Sequence, residues 1–223
     1  MAQPDAAGEL VSTNPATGQE IARVAVTSAF ELDATVERAW HAFHHSGWKS
    51  LLPHKRAVVL QAIADGLSAE KEALARLQMQ DNGKPLGECR GMVESAIGTF
   101  RYYAGVCETL ETNVTPSRGE YVSFTVLEPF GVVAAITPWN SPIMNDATKV
   151  APALAAGNAV ILKPSEDSPL LAPELVRIAL AAVPGLAGVG IGLVCVAVGS
   201  GTLKATTSSV LGEMYEPGDD RRD

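Results

Sequence analysis

Two short runs place chemistry-capable side chains where an apolar, β-rich stretch gives way to a helix-like one. In the first, Ile136-Thr137-Pro138-Trp139-Asn140, a proline breaks the strand pattern and an amide side chain heads the segment that follows. An asparagine there either forms a turn, the common use of its side chain, or donates an N–H to a developing oxyanion. In the second, Lys163-Pro164-Ser165-Glu166, a cation and a carboxylate stand three residues apart. That pair suits an ordinary charged loop opening a helix through Ser-Glu. It equally suits a ribose with free hydroxyls, and Glu166 would repel a phosphate on the 2′-oxygen. A third run, Gly199-Ser-Gly201-Thr-Leu-Lys204, carries two of the three glycines of a dinucleotide fingerprint.

Other reactive residue types are less well placed. His41, His44 and His45 fall one turn apart on a helical pattern. No Glu follows His41, so the zinc-protease arrangement is absent and a solvated helical face is the expectation; no metal site is assigned. The cysteines, Cys89, Cys107 and Cys195, are far apart and make neither a disulfide framework nor a metal cage. None has an evident base partner, so all three read as structural.

Ligands of doubly wound sheets bind outside the carboxyl ends of the strands, so the elements around the two turns decide whether they can meet. Val132–Ile136, Ala159–Leu162 and Ile191–Val198 are continuously apolar, as buried parallel strands are. Helical patterns around Asp146–Ala156 and over Pro169–Ala182 separate them. Strand–helix–strand–helix–strand at this spacing predicts an α/β, doubly wound parallel sheet. Upstream, Ser28-Ala-Phe-Glu31 fits a capping box. The helix after it has Leu32, Val36, Trp40 and Phe43 recurring as its apolar side. Further helices are expected from Pro53, through Leu74 and Leu77 to Asn82-Gly83, and after Gly87. Asn14–Gly18 is a turn between short strands, and Tyr121–Val126 a β-arm leading into the sheet.

The expected organisation is a helical part over 1–118, an oligomerisation-type β-arm over 119–130, a partial Rossmann-like sheet over 131–201 and a divergent, polar tail over 202–223. Three parallel strands make an incomplete sheet with an uncovered apolar edge, which predicts a truncated or frame-disrupted product.

Composition limits what such a chain does. Of its 223 residues, 47% are apolar and 19% charged, enough for a core and too few charges for a disordered acidic chain. A net charge of -8 argues against nucleic-acid binding. The uncharged run Ile178–Gly199 is long enough for a membrane helix, but Pro184-Gly185 and Gly188, Gly190 and Gly192 cut it, so no membrane association is expected. The amino terminus has no basic residue before an apolar run, and the cytoplasm is the expected compartment.

Glu128-Pro-Phe-Gly-Val-Val-Ala-Ala-Ile-Thr-Pro-Trp-Asn140, Lys149–Asn158 and Ala159-Val-Ile-Leu-Lys-Pro-Ser-Glu166 together resemble the aldehyde dehydrogenase superfamily. So do Asn14-Pro-Ala-Thr-Gly18, Asp81-Asn-Gly-Lys-Pro85 and Phe100-Arg-Tyr-Tyr-Ala-Gly105. The resemblance implies NAD(P)-dependent oxidation of an aldehyde to an acid and a homo-oligomer; with Glu166 beside Lys163, NAD is expected over NADP. By the same resemblance Ile136, Thr137, Pro138 and Trp139 would lie along the cofactor and Asn140 would stabilise the oxyanion of a thiohemiacetal. Lys163, Ser165 and Glu166 would hold the adenine ribose, and Gly201 would allow close approach near the diphosphate. Beyond Gly201 nothing aligns. The family's nucleophilic cysteine, its Glu-Leu-Gly-Gly glutamate and its Phe-Thr-Gly-Ser turn are not in this sequence. The expectation is therefore an amino-terminal half that is inactive alone. The alternative is a non-catalytic remnant that binds nucleotide weakly or pairs with an intact relative.

Overall fold

A computed structural model describes residues 8–117 and 119–182 and the backbone of strand 193–196. The chain opens with an antiparallel hairpin, β1 (Glu9–Thr13) and β2 (Glu20–Ala25), turned at Asn14, whose side chain accepts from the Ala16 N–H at 2.9 Å. Helix α1 (Ala29–His45) starts at the expected capping box: the Ser28 hydroxyl accepts from Glu31 N at 3.2 Å, and Ser28 N donates to Glu31 Oε2 at 2.8 Å. After a 3-10 turn at Trp48–Ser50 come α2 (Pro53–Ala69), α3 (Lys71–Asn82) and α4 (Leu86–Thr109). Gly83, in the left-handed conformation with φ 77°, terminates α3. Helix α4 begins at Leu86 rather than after Gly87, because Pro85 ahead of it already has its φ set and Gly87 is tolerated inside the first turn.

The sheet is parallel in the order β3 (Val132–Ile136), β4 (Ala159–Lys163), β5 (Leu193–Val196). Helix α5 (Pro142–Ala155) follows β3, and α6 (Leu171–Ala181) follows β4. Helix α5 starts one turn earlier than the apolar pattern suggested, since Pro142 occupies the first helical position, where its missing N–H costs nothing.

Alternation along β4 divides the core. Val160 and Leu162 join the large cluster with Val150 and Leu154 of α5 and Leu171 and Leu175 of α6, while Ala159 and Ile161 face Ala39 and Phe43 of α1. Helices thus cover both faces, as in a doubly wound sheet. The buried stripe of α1 is Thr35–Ala39–Phe43, with Val36 and Trp40 exposed by 44% and 54%. The expected stripe through Val36 and Trp40 is corrected by one position, because Ala39 and Phe43 are the side chains that pack with Ala159 and Ile161 of β4.

The arm is less regular than its β-rich composition suggested. Val114 bridges Phe124 outside any continuous strand, with Thr115 N donating to Ser123 O at 3.0 Å and Thr125 N to Asn113 O at 2.8 Å. Its side chains, among them Tyr121, Phe124 and Phe130, are exposed, and burial does not extend the ladder. Of the expected strand Ile191–Val198, residues 193–196 are strand; the rest, the Cys195 side chain, Gly201 and the 202–223 tail lie outside the described residues. Among the described residues no helix is long and apolar enough to cross a membrane.

Candidate functional site

The register of β3 on β4 pairs Ile136 with Lys163, so the two turns leave the sheet side by side at its carboxyl edge. Thr137 N–H donates to Lys163 O at 3.0 Å and carries the pairing one residue past the strand. Thr137 is buried, whereas Ile136, Pro138, Trp139 and Asn140 are exposed along the edge. That edge is where doubly wound sheets bind nucleotides.

On the β4 side the Lys163 side chain is 12% exposed, and its Nζ donates to Pro164 O at 3.0 Å and stands 3.5 Å from Glu166 Oε2. Glu166 is 36% exposed, so the carboxylate faces outward across a partly shielded cation. Ser165 shapes the loop: its hydroxyl accepts from Asp167 N at 3.3 Å, and its carbonyl accepts from Ser168 N at 3.3 Å. Glu166 and Asp167 therefore occupy the tip of a tight turn.

On the β3 side Asn140 precedes α5. Asn145 Nδ2 donates to Asn140 Oδ1 at 3.3 Å, which commits the amide oxygen and leaves Nδ2 of Asn140 as the donor end. Gln78 of α3 reaches the start of the same helix, its Oε1 accepting from Ile143 N at 3.4 Å. At the far end of α5, buried Asn158 accepts from Gly131 N at 3.0 Å and donates to Ala153 O at 3.1 Å, tying the helix to the entry of β3.

Asp146 of α5 is fully buried, and neither carboxylate oxygen has a hydrogen-bond partner. Burial pushes its pKa up to about 7; the Thr137 hydroxyl offsets this only in part, without forming a well-aligned bond. The two described cysteines have the surroundings of structural thiols. Cys89 Sγ lies 3.7 Å from Lys84 O and Cys107 Sγ 3.6 Å from Ala155 O, and burial raises both thiols above the ordinary range. Cys107 touches the carboxyl end of α5, about 20 Å from Asn140 for a helix of this length.

Sequence reasoning brought out the two turns but missed Gln78, Asp81, Asn145 and Asp146. The signal for the first two was available: on α3 the stripe Leu74–Ala75–Gln78–Asp81 is buried, and polar residues on a buried stripe have specific partners.

This geometry has counterparts among known proteins. The model of the aldehyde dehydrogenase family matches residues 2–209. The chain belongs to the aldehyde dehydrogenase family. The NADP/NAD-dependent aldehyde dehydrogenase PuuC of Escherichia coli is 37% identical over 169 residues, which cover 75% of this chain and 34% of PuuC. Among solved structures, betaine aldehyde dehydrogenase of Staphylococcus aureus, in complex with NAD+, superposes with a TM-score of 0.82 at 29% identity, covering 92% of this chain and 40% of that one. The glyceraldehyde-3-phosphate dehydrogenase GapN of Methanocaldococcus jannaschii, complexed with NADP, gives 0.78 at 33% identity over 86% of this chain and 40% of that one. The chain spans about a third of the length of the curated relatives it matches.

Proposed function

We propose that this chain serves the NAD-dependent oxidation of an aldehyde to a carboxylic acid, supplying the dinucleotide cradle and the oxyanion donor. The observation that carries the reading is the adjacency of Thr137–Asn140 and Lys163–Glu166 at one sheet edge. The residues present fit a dinucleotide. Glu166 offers an outward-facing acceptor for ribose hydroxyls with Lys163 beside it, and exposed Ile136, Pro138 and Trp139 provide an apolar wall. NAD, when bound, supplies the acceptor for the hydride. The chain's own part is to orient the dinucleotide and to present the Asn140 amide to the oxygen on which negative charge develops.

The same Glu166 sets the preference between cofactors. A 2′-phosphate beside an anionic carboxylate is repelled, and the weakly screened Lys163 is already engaged by Glu166. NAD is therefore favoured over NADP.

By itself the chain binds nucleotide without turning aldehyde over, because Asn140 acts on an intermediate that a thiolate creates. Cys89 and Cys107 are buried, with raised pKa values. The domain plan follows: a helical part over 1–118, the arm over 119–130 and the nucleotide-binding sheet over 131–201. The exposed apolar side chains Val114, Tyr121, Phe124 and Phe130 of the arm and its base favour association with another chain of the family. A non-catalytic role in which the chain pairs with an intact relative is the second reading, and it rests on that same surface.

Calorimetric titration tests the proposal. NAD binds, NADP binds at least about tenfold more weakly, and Glu166→Gln narrows the gap. Equal or tighter NADP binding overturns the cofactor assignment. Steady aldehyde-dependent NADH formation that Cys89→Ala or Cys107→Ala abolishes overturns the structural reading of that thiol.

A further inference from the structure

The Lys163–Glu166 turn is anchored by a residue that neither turn contains. Asp81, in the last turn of α3, is 3% exposed, and three donors from two other parts of the chain converge on its carboxylate. Ser12 of β1 donates to Oδ1 at 2.7 Å. Ser168 donates to Oδ2 at 2.7 Å, and the Leu170 N–H donates to the same oxygen at 3.1 Å. Ser168 is the residue whose N–H closes the turn on Ser165 O, and Leu170 is the N-cap of α6.

Two features show that this carboxylate works across space rather than for its own helix. An acidic side chain in the last turn of α3 opposes that helix's dipole, whereas the same charge beside the start of α6 favours it. Leu170 has no side chain able to cap α6, so the acceptor arrives from 89 residues upstream. The mounting is also rigid. Gly83, at the end of α3, is packed so closely against Pro15 that an added Cβ would lie 2.7 Å from its Cγ, and Ser12 of the same hairpin holds the other oxygen of Asp81.

We propose that Asp81 is a positioning residue for the nucleotide-binding turn, fixing Ser168 and Leu170 so that Glu166 is presented to the ribose. The proposal rests on the reading of that turn as the ribose site. Asp81 does not touch the nucleotide; it sets the geometry of the group that does.

The test is NAD affinity of the full chain by calorimetry, with unfolding midpoints alongside. Asp81→Ala raises the Kd for NAD about tenfold and Ser168→Ala about threefold. Ser168→Ala removes a single hydroxyl, so it reports even where Asp81→Ala does not fold. Asp81→Asn keeps affinity within about threefold, since the amide oxygen, in the place of Oδ2, accepts from Ser168 and Leu170 while the amide nitrogen donates to the Ser12 hydroxyl oxygen. In a Glu166→Gln background Ser168→Ala changes the Kd less than about 1.5-fold, because residues acting through one another are non-additive. Ile97→Val, a core truncation in α4, lowers the midpoint without changing the Kd. The same loss from Ser168→Ala with Glu166 or with Gln overturns the positioning role. Binding that responds to Glu166→Gln but not to Asp81→Ala or Ser168→Ala overturns it as well and spares the ribose reading. A chain that binds no NAD, or one indifferent to Glu166→Gln, overturns the ribose reading and this role with it.

Discussion

Asn145 donates from Nδ2 to Asn140 Oδ1 at 3.3 Å, so the amide that reads as an oxyanion donor is held by its acceptor end. The bond links the exposed turn after β3 to the first turn of α5. It selects which face of the Asn140 amide looks outward.

That bond has a kinetic consequence. In an assembly of this chain that oxidises aldehyde, Asn140→Ala lowers kcat by about 10²–10³. Asn145→Ala lowers it about tenfold, since the donor remains but is no longer oriented. The KM for NAD stays unchanged in both. Steady-state kinetics decides this, and an Asn145→Ala variant with full kcat shows that the bond orients nothing.

Asp146 makes stability depend on pH. Its folded pKa of about 7 lies above the ordinary Asp value of 3.8, so the native state binds the extra proton between those values. Stability is highest at the acid end of that window, falls as pH rises through it, and levels off above the folded pKa. The whole effect amounts to at most about 4 kcal/mol. Asp146→Asn, neutral throughout, removes this component and is the more stable protein at pH above the window. Urea midpoints measured on both sides of the window check the sign; parallel curves for the two proteins would falsify the assignment.

Burial also governs the thiols. Cys89 and Cys107 are 0% and 7% exposed, and their pKa values are raised, so little thiolate is present or reachable in the native state. Site-resolved labelling with an aromatic disulfide proceeds at these two positions only as fast as the chain opens. Prompt modification of either in the folded protein contradicts the structural role.

Helices α2 and α6 meet at Gly66, where an added Cβ would come within 2.6 Å of Ile178 Cγ2. Alanine gains about 1 kcal/mol of helix propensity over glycine. The overlap costs about 1–3 kcal/mol, and the methyl sits on a β-branched carbon that cannot swing aside. Gly66→Ala is therefore net destabilising, which the unfolding midpoint measures. A raised midpoint shows that α6 can slide off α2.

Much of this molecule is legible in the amino-acid order because local physics decides it. The Ser28–Glu31 box starts α1, Gly83 stops α3, and continuous apolar runs separated by helical patterns announce a parallel sheet. The turns at 136–140 and 163–166 follow from where those strands end. Tertiary structure decided the rest. Which side of α1 is buried depended on the packing of Ala39 and Phe43 with Ala159 and Ile161 of β4, a property of the partner as much as of the helix. That Ile136 lies beside Lys163 required strand register, which no local pattern contains. Asp81 and Ser168 are 87 residues apart in the chain and 2.7 Å apart in space. A pairing of that kind is fixed by the packing of whole elements, because a buried carboxylate is stable only where the completed fold brings donors to it.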